Sequence, residues 1–351
     1  MQSVYSNHIK LSIFGASHAD SISMTLEGVP AGLPVDMDQL HAFLQRRAPG
    51  QNAWSTPRKE ADLPEFTSGL ENGLTKGEPI TAVIYNNNTR SEDYGNVLSC
   101  PRPGHADFTS FVKYGEIFPG GGHFSGRMTA PMCIAGGMCK QWLEHMGIRI
   151  GAHILSIGTA EDSRFDALMP QLDQVGQSFP TLSAKAAENI QAQIAAAKAD
   201  NDSLGGWIEC AITGLPAGIG EPMFGGVENR IAQIVYAIPA VKGLIFGDTQ
   251  NTGSQNNDAY TIEDGTVKTL TNHCGGILGG ITNGMPVLFR LGIKPTPSIC
   301  KPQQTVDLRT GEVTTIQVKG RHDPCIVPRA VPVVEAAAAI AIYDLIQANG
   351  R

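Results

Sequence analysis

The stretch IKLSIFGASHADSISMTLE, residues 9–27, is where the fold is read. Residues 9–14 and 22–27 are short, rich in strand formers and separated by a glycine-led turn, so both are expected as strands. The turn between them, Gly15-Ala16-Ser17-His18-Ala19, comes close to the GxSxG nucleophile elbow. That elbow needs a closing glycine and a following helix. Here Ala19 replaces the glycine, and Asp20-Ser21-Ile22 leads into a second strand. The element therefore reads as strand, turn, strand, with Ser17 a turn-stabilising or ligand-contacting hydroxyl. A serine hydrolase using Ser17 is kept as the rival reading.

Working outward, further strands are expected at residues 80–85, 148–157, 207–213, 243–246, 286–293 and 314–318. Helices are expected between them. Residues 36–47 place Met37, Leu40, Phe43 and Leu44 on one face, with acids at the start and Arg46 and Arg47 at the end, as the helix dipole favours. Residues 131–146 start on a proline, which the first helical turn tolerates, and stop at Gly147. Residues 183–199 and 227–237 are two more, and residues 332–348, apolar nearly all round, form a last helix that should be buried. The alternation predicts an α/β or α+β fold with mixed sheets. No linker or low-complexity run divides the chain, so a single domain over residues 1–351 is expected.

The 351 residues carry a formal net charge of −7 and a mean hydropathy of −0.08. An acidic chain does not suit a nucleic-acid surface, which needs a basic face. Yet Arg46, Arg47, Arg58, Lys59, Arg102, Arg127, Lys294, Arg321 and Arg329 lie in or beside Gly-, Pro- or Ser-rich stretches, where small anions are held. The expected partner is an anionic small molecule. The 7 cysteines include no CxxC pair and read as reduced thiols. The start, MQSVYSNHIK, has no apolar signal core, and no run approaches the roughly 18 apolar residues of a membrane span. A cytoplasmic protein that does not engage a membrane is expected.

Generic cofactor signatures are missing. There is no GxxxxGK[ST] loop, the glycine clusters do not form GxGxxG between a strand and a helix, and the histidines show no HxH or HExxH spacing, so no metal site is expected. Three other segments join a titratable group to basic or glycine-rich neighbours: Arg102-Pro103-Gly104-His105-Ala106-Asp107, Gly120-Gly121-Gly122-His123-Phe124-Ser125-Gly126-Arg127, and Gly320-Arg321-His322-Asp323-Pro324. A histidine so placed can protonate a leaving phosphate or a cofactor nitrogen near neutral pH.

Read in order, these segments resemble the chorismate synthase family. The matching elements are FGxSH at residues 14–18, RRxPG at 46–50, SGxxxGxTxGxPI at 68–80, RPGHAD at 102–107, GGGxxSxRxT at 120–129, GLPAGxGEPxF at 214–224, AVKG at 240–243, GSQN at 253–256, NxxGGILGGIxxGxP at 272–286, KPTxSI at 294–299 and GRHDPCxxxRAVPxxEA at 320–336.

The resemblance implies a four-layer α-β-β-α arrangement, often described as a β-α-β sandwich, and a homotetramer. It implies an enzyme, a reduced-FMN-dependent phospho-lyase that takes phosphate and a C6 hydrogen from 5-enolpyruvylshikimate 3-phosphate to give chorismate, with no net redox change. By position in the motifs, His18 and His105 would be the family's two proton-donating histidines, one for the reduced flavin and one for the departing phosphate. Asp323 would help relay a proton from the flavin. FMN contacts would fall on His123, Phe124, Ser125, Ala240, Gly279, Lys294, Pro295, Thr296, Pro297, Ser298 and Arg321. Arg47, Arg127 and Arg329 are expected as clamps for substrate anions or NADP.

Several positions depart from the family pattern. The usual GESHG element loses a carboxylate at Ala16 and a glycine at Ala19. Ala53 stands where many members have an arginine linked to NADPH, so an external flavin reductase is expected to supply FMNH2. His123 and Met128 replace an arginine and a glutamate. The alternative these changes leave open is a catalytically weakened relative that still binds FMN and anions.

Overall fold

In the strand Ser21–Glu27, Ile22, Met24 and Leu26 are buried while Ser21, Ser23, Thr25 and Glu27 alternate with them on the other face. A strand of this pattern covers a core with one side only. The computed structural model describes residues 1–50, 62–86, 99–249, 252–318 and 323–350. In it this strand lies between Lys10–Gly15 and Ile80–Tyr85 in a sheet completed by Gln2–Ser6 and Glu65–Ser68. A second sheet orders Ala160–Glu161, Arg149–Ile157, Gly206–Thr213, Val287–Ile293 and Val241–Phe246. All ladders among the described residues are antiparallel. The expected mixed sheets are thereby corrected, and the α+β form of the expected class holds.

The helices Thr129–His145 and Val327–Ala348 fill the space between the sheets. The first packs on Lys10–Gly15, Ser21–Glu27 and Ile80–Tyr85, the second on Arg149–Ile157 and Gly206–Thr213, and the two pack extensively on each other. A helix apolar on all sides must be covered on all sides, and both are buried along most of their length. The layers therefore run β-α-α-β. Four layers and the β-α-β sandwich description hold, while the α-β-β-α order is corrected, because each sheet has one apolar face and turns it inward.

Contact between the helices is set by a glycine. A Cβ on Gly136 would sit 2.4 Å from Ala336 Cα, so the backbones meet where neither residue carries bulk. On the neighbouring face, Gly137 makes room for Leu40 and Phe43 of the helix Met37–Arg47. That helix is capped by Asp36, whose carboxylate accepts from the amides of Asp38 and Gln39.

The C-terminal helix starts at Val327, five residues before the expected 332. Pro328 lies in the first turn, where a missing N–H costs nothing, and the helix continues through Pro332 with one backbone bond fewer. Among the described residues it is the one helix long and apolar enough to cross a membrane, but 94% of its apolar window is buried inside the protein. The polar strand Gln2–Ser6 and the hairpin Gln303–Asp307 with Glu312–Ile316 were not expected in that form.

The carboxylate of Glu335 is buried between these layers. Glu335 accepts from Arg46 Nη1 at 2.8 Å and Nη2 at 2.7 Å, from Lys140 Nζ at 3.1 Å and from the Ala152 amide at 3.3 Å. Burial alone would raise its pKa, but Lys140 and Arg46 overcome that and bring it down to about 2 from an ordinary 4.5. The folded-state value lies below the unfolded one, so the stabilisation is complete above pH 4.5 and is lost as pH falls towards 2. The expected size is about 3 kcal/mol. Denaturant melts from pH 7 down to pH 3 should show it, and Glu335→Gln should be less stable at pH 7 with a flatter acid limb.

Candidate active site

Three consecutive glycines bring the two histidines together. Gly120, Gly121 and Gly122 all have left-handed φ, of 61°, 82° and 54°, within the short turn Pro119–Phe124. Side chains rarely adopt that conformation. They would also collide, since a Cβ on Gly120 would fall 2.0 Å from His18 Cε1, and one on Gly121 would fall 3.3 Å from His105 Cε1 and Nε2. The glycine backbone is thus a thin partition, with His18 packed against Gly120 and His105 against Gly121.

The turn of residues 15–19 is fastened to this partition. The Ser17 amide donates to Gly122 O at 3.1 Å and the Ser17 hydroxyl to Gly120 O at 3.1 Å. Ser17 Oγ also lies 3.2 Å from His18 Nδ1. A serine and a histidine at that distance resemble a hydrolase pair, but Ser17 is 1% exposed and a strand, Ser21–Glu27, follows it. The hydroxyl is a structural tie, which removes the basis for the hydrolase reading.

His105 follows a Pro-Gly turn and precedes the helix Asp107–Tyr114. Its Nδ1 lies 2.6 Å from Asp107 Oδ1. Asp107 also accepts from Arg102 at its amide (3.0 Å), Nε (2.7 Å) and Nη2 (2.8 Å). Burial would raise the Asp107 pKa, but hydrogen bonds from Arg102 and His105 and their charges hold it well below the carboxylate range. Arg102 Nη1 reaches Ser298 Oγ at 3.0 Å. Residue 102 is therefore occupied in fixing the loop and is not a free clamp.

A second cluster adjoins the partition through Arg127. Asp62 accepts from both Arg127 Nη1 and Arg47 Nη1. Arg127 Nε donates to Asn86 Oδ1 at 3.0 Å, Arg47 Nε to Thr129 Oγ1 at 3.1 Å, and Arg329 Nε to Arg47 O at 3.0 Å. Arg329 Nη1 lies 2.5 Å from Asp323 Oδ2. Burial, countered by Asp62 and reinforced by Arg329 and Arg127, lowers the Arg47 pKa to about 10. Among the described residues the guanidiniums of Arg47, Arg127 and Arg329 meet the carboxylates of Asp62 and Asp323, a grouping suited to receiving an anion.

The 294–298 run leaves the strand Val287–Ile293 and crosses to the His105 loop. The Lys294 amide donates to Ala240 O at 2.9 Å, and its ammonium donates to Gly104 O. Ala240 itself holds a left-handed φ of 74°. Pro297 packs on Gly104, the Ser203 hydroxyl donates to Thr296 O at 2.6 Å, and Thr296 Oγ1 is buried without a hydrogen-bond partner among the described residues. Burial and the neighbouring Lys242 lower the Lys294 pKa.

The remaining expected contacts are scattered. Both ring nitrogens of His123 are used by the first sheet, Nδ1 at 2.8 Å from Gly15 O and Nε2 at 2.8 Å from Ser3 Oγ. Phe124 is exposed beside Tyr114, and the Ser125 hydroxyl accepts from the Arg127 amide at 3.2 Å. Gly279 occupies the turn between Ile277–Leu278 and Ile281–Thr282, next to Gly280, which packs on Glu221 and Gly226. Arg321 lies outside the described residues, as do Ala53, Arg58 and Lys59. A cavity of about 530 Å³ is lined by Arg46, Lys140, Arg149, Arg329 and Glu335 among others. Arg46 and Lys140 there pair with Glu335, and Arg149 with Asp173.

Sequence reading missed Asp62 and the role of Asp107. Asp107 stood in a quoted motif, two residues from His105. Asp62 had no local signal, since its partners are 15 and 65 residues away.

Comparison with known proteins agrees with this geometry. Residues 9–347 match the family model described as chorismate synthase. A chorismate synthase of Lancefieldella parvula is 46% identical over 98% of this chain and 96% of its own length, and one of Dehalococcoides mccartyi is 42% identical over 96% and 94%. A crystal structure of chorismate synthase superposes with a TM-score of 0.77 at 26% identity, covering 98% of this chain and 93% of that one. The sandwich, the paired histidines and these matches together place the chain in the chorismate synthase family.

Proposed function

We propose that this chain is a reduced-FMN-dependent lyase that converts 5-enolpyruvylshikimate 3-phosphate to chorismate and phosphate in the cytoplasm, with no net redox change. The observation that carries the reading is the packing of His18 against Gly120 and of His105 against the adjacent Gly121, beside the Arg47–Asp62–Arg127 cluster. The substrate has one phosphate and two carboxylates. A guanidinium cluster suits it, and Arg47, Arg127 and Arg329 are the clamps.

The residues of the 294–298 run fit a flavin. Thr296 Oγ1 is a buried polar atom in need of a partner, and Lys294 and Lys242 put two ammonium groups close together, as an anionic cofactor would favour. Residues Ala240 and 294–298 would hold the group, with Gly279, Phe124, Ser125 and Arg321 contributing and His123 supporting the turn beneath. The chemistry reduced FMN supplies when bound is transient electron donation, which lets an unactivated C–H bond break as phosphate departs.

The protein's own residues handle protons and position. His18 Nδ1 lies against the Ser17 hydroxyl and His105 Nδ1 against Asp107, so both rings are held in place for proton transfer, one of them serving the departing phosphate. Asp323, anchored by Arg329, holds a further carboxylate at the edge of the arginine cluster. A homotetramer accords with the exposed apolar residues Tyr260, Ile262, Val267 and Leu270 of one hairpin, which a second copy would cover.

Anaerobic phosphate release from 5-enolpyruvylshikimate 3-phosphate with dithionite-reduced FMN should be matched by chorismate formation. Single His18→Ala and His105→Ala substitutions should each lower kcat by about 10²-fold or more. FMN binding without any turnover in the unaltered protein would favour the catalytically weakened relative. With Ala53 in place of the family arginine, NADPH and oxidised FMN alone should give no chorismate under anaerobic conditions, and an added flavin reductase should restore it. Turnover with NADPH alone would show that the chain reduces its own flavin.

A further inference from the structure

We propose that Asp107 is the positioning residue that aims His105 at the substrate, fixing the imidazole with its proton on Nδ1 and Nε2 turned to the glycine partition. This rests on the reading of His105 as a proton-transfer group.

Two atoms approach His105 Nδ1: Asp107 Oδ1 at 2.6 Å and Arg102 Nη2 at 3.1 Å. A guanidinium carries no acceptor, so a proton on Nδ1 can be received only by the carboxylate. Nη2 carries two hydrogens, one of which donates to Asp107 Oδ1 at 2.8 Å while the other can reach Nδ1. A bare Nδ1 lone pair held 2.6 Å from a carboxylate oxygen would be repelled, whereas an Nδ1–H is shared with it. The shorter contact therefore assigns Nδ1–H to Asp107, and the opposite nitrogen, Nε2, is the one that faces Gly121. A carboxylate bonded to one imidazole nitrogen sets the tautomer and the orientation of the other.

Asp107 is itself over-determined. It is 2% exposed, begins the helix that follows His105, and takes three N–H groups from Arg102, which is tied in turn to Ser298. Lys294 holds the Gly104 carbonyl, and the Thr305 hydroxyl holds Pro101 O at 2.6 Å. The ring is thus referenced to the second sheet through two residues of the 294–298 run. At His18 the atom described beside Nδ1 is the Ser17 hydroxyl, at 3.2 Å.

The test compares Asp107→Asn with the unaltered protein and with His105→Ala. Asp107→Asn should lower kcat at least tenfold while KM and FMN affinity change less than threefold. In selectively ¹⁵N-histidine-labelled protein, with His105 assigned by its loss in His105→Gln, neutral His105 should carry its proton on Nδ1, and in Asp107→Asn the proton should move to Nε2. An unchanged kcat in Asp107→Asn while His105→Ala is inactive would overturn the proposal. Should the variant not fold, the labelled unaltered protein decides alone: a proton on Nδ1 supports the proposal and a proton on Nε2 overturns it. Full turnover in His105→Ala would remove the reading beneath it and the proposal with it, a result distinct from an active Asp107→Asn.

Discussion

Two helices buried on every side fix this molecule. Thr129–His145 and Val327–Ala348 cannot meet water along most of their length, so each needs a sheet behind it and the other helix in front. The sheets answer with one apolar face apiece. Where the helix backbones meet at Gly136 and Ala336 there is no space for another carbon, and that contact sets the separation of the sheets. Glu335 lies in this interior only because Arg46 and Lys140 meet it there.

The site follows from that spacing. His18 comes from a turn of the first sheet, and Lys294 through Ser298 leave a strand of the second. The segment from Arg102 to Arg127 runs between them, touching the first sheet at His123 and Ser17 and the second at Gly104 and Arg102. Neither sheet alone contains the site. Displacing one against the other by the width of a side chain would separate the two histidines.

Local sequence carried the elements whose pattern is local. The strands at residues 9–14, 22–27 and 80–85 and the helix ending in Arg46 and Arg47 were legible, because alternation, capping and charge all agreed. The start of the C-terminal helix was not, since Pro332 reads as a boundary and burial overrides it. The layer order was also hidden: an apolar helix predicts that it is covered, without saying by what. The motifs marked the histidines as candidates, and the triple glycine was legible only as a close approach of unknown kind. Asp62 was invisible because it joins Arg47 and Arg127 across chain separations that leave no periodic trace.

The central claim is that the bare backbone at Gly120 lets His18 and His105 face one reaction centre. The direct test is turnover of Gly120→Ala, measured beside its melting temperature and its FMN affinity. The added methyl has no room beside the His18 ring and the left-handed φ disfavours it. A fall in kcat of about 10²-fold or more with the fold and FMN binding retained is the expected result. Unaltered turnover in a folded Gly120→Ala protein would contradict it, because His18 would then be free to move without consequence.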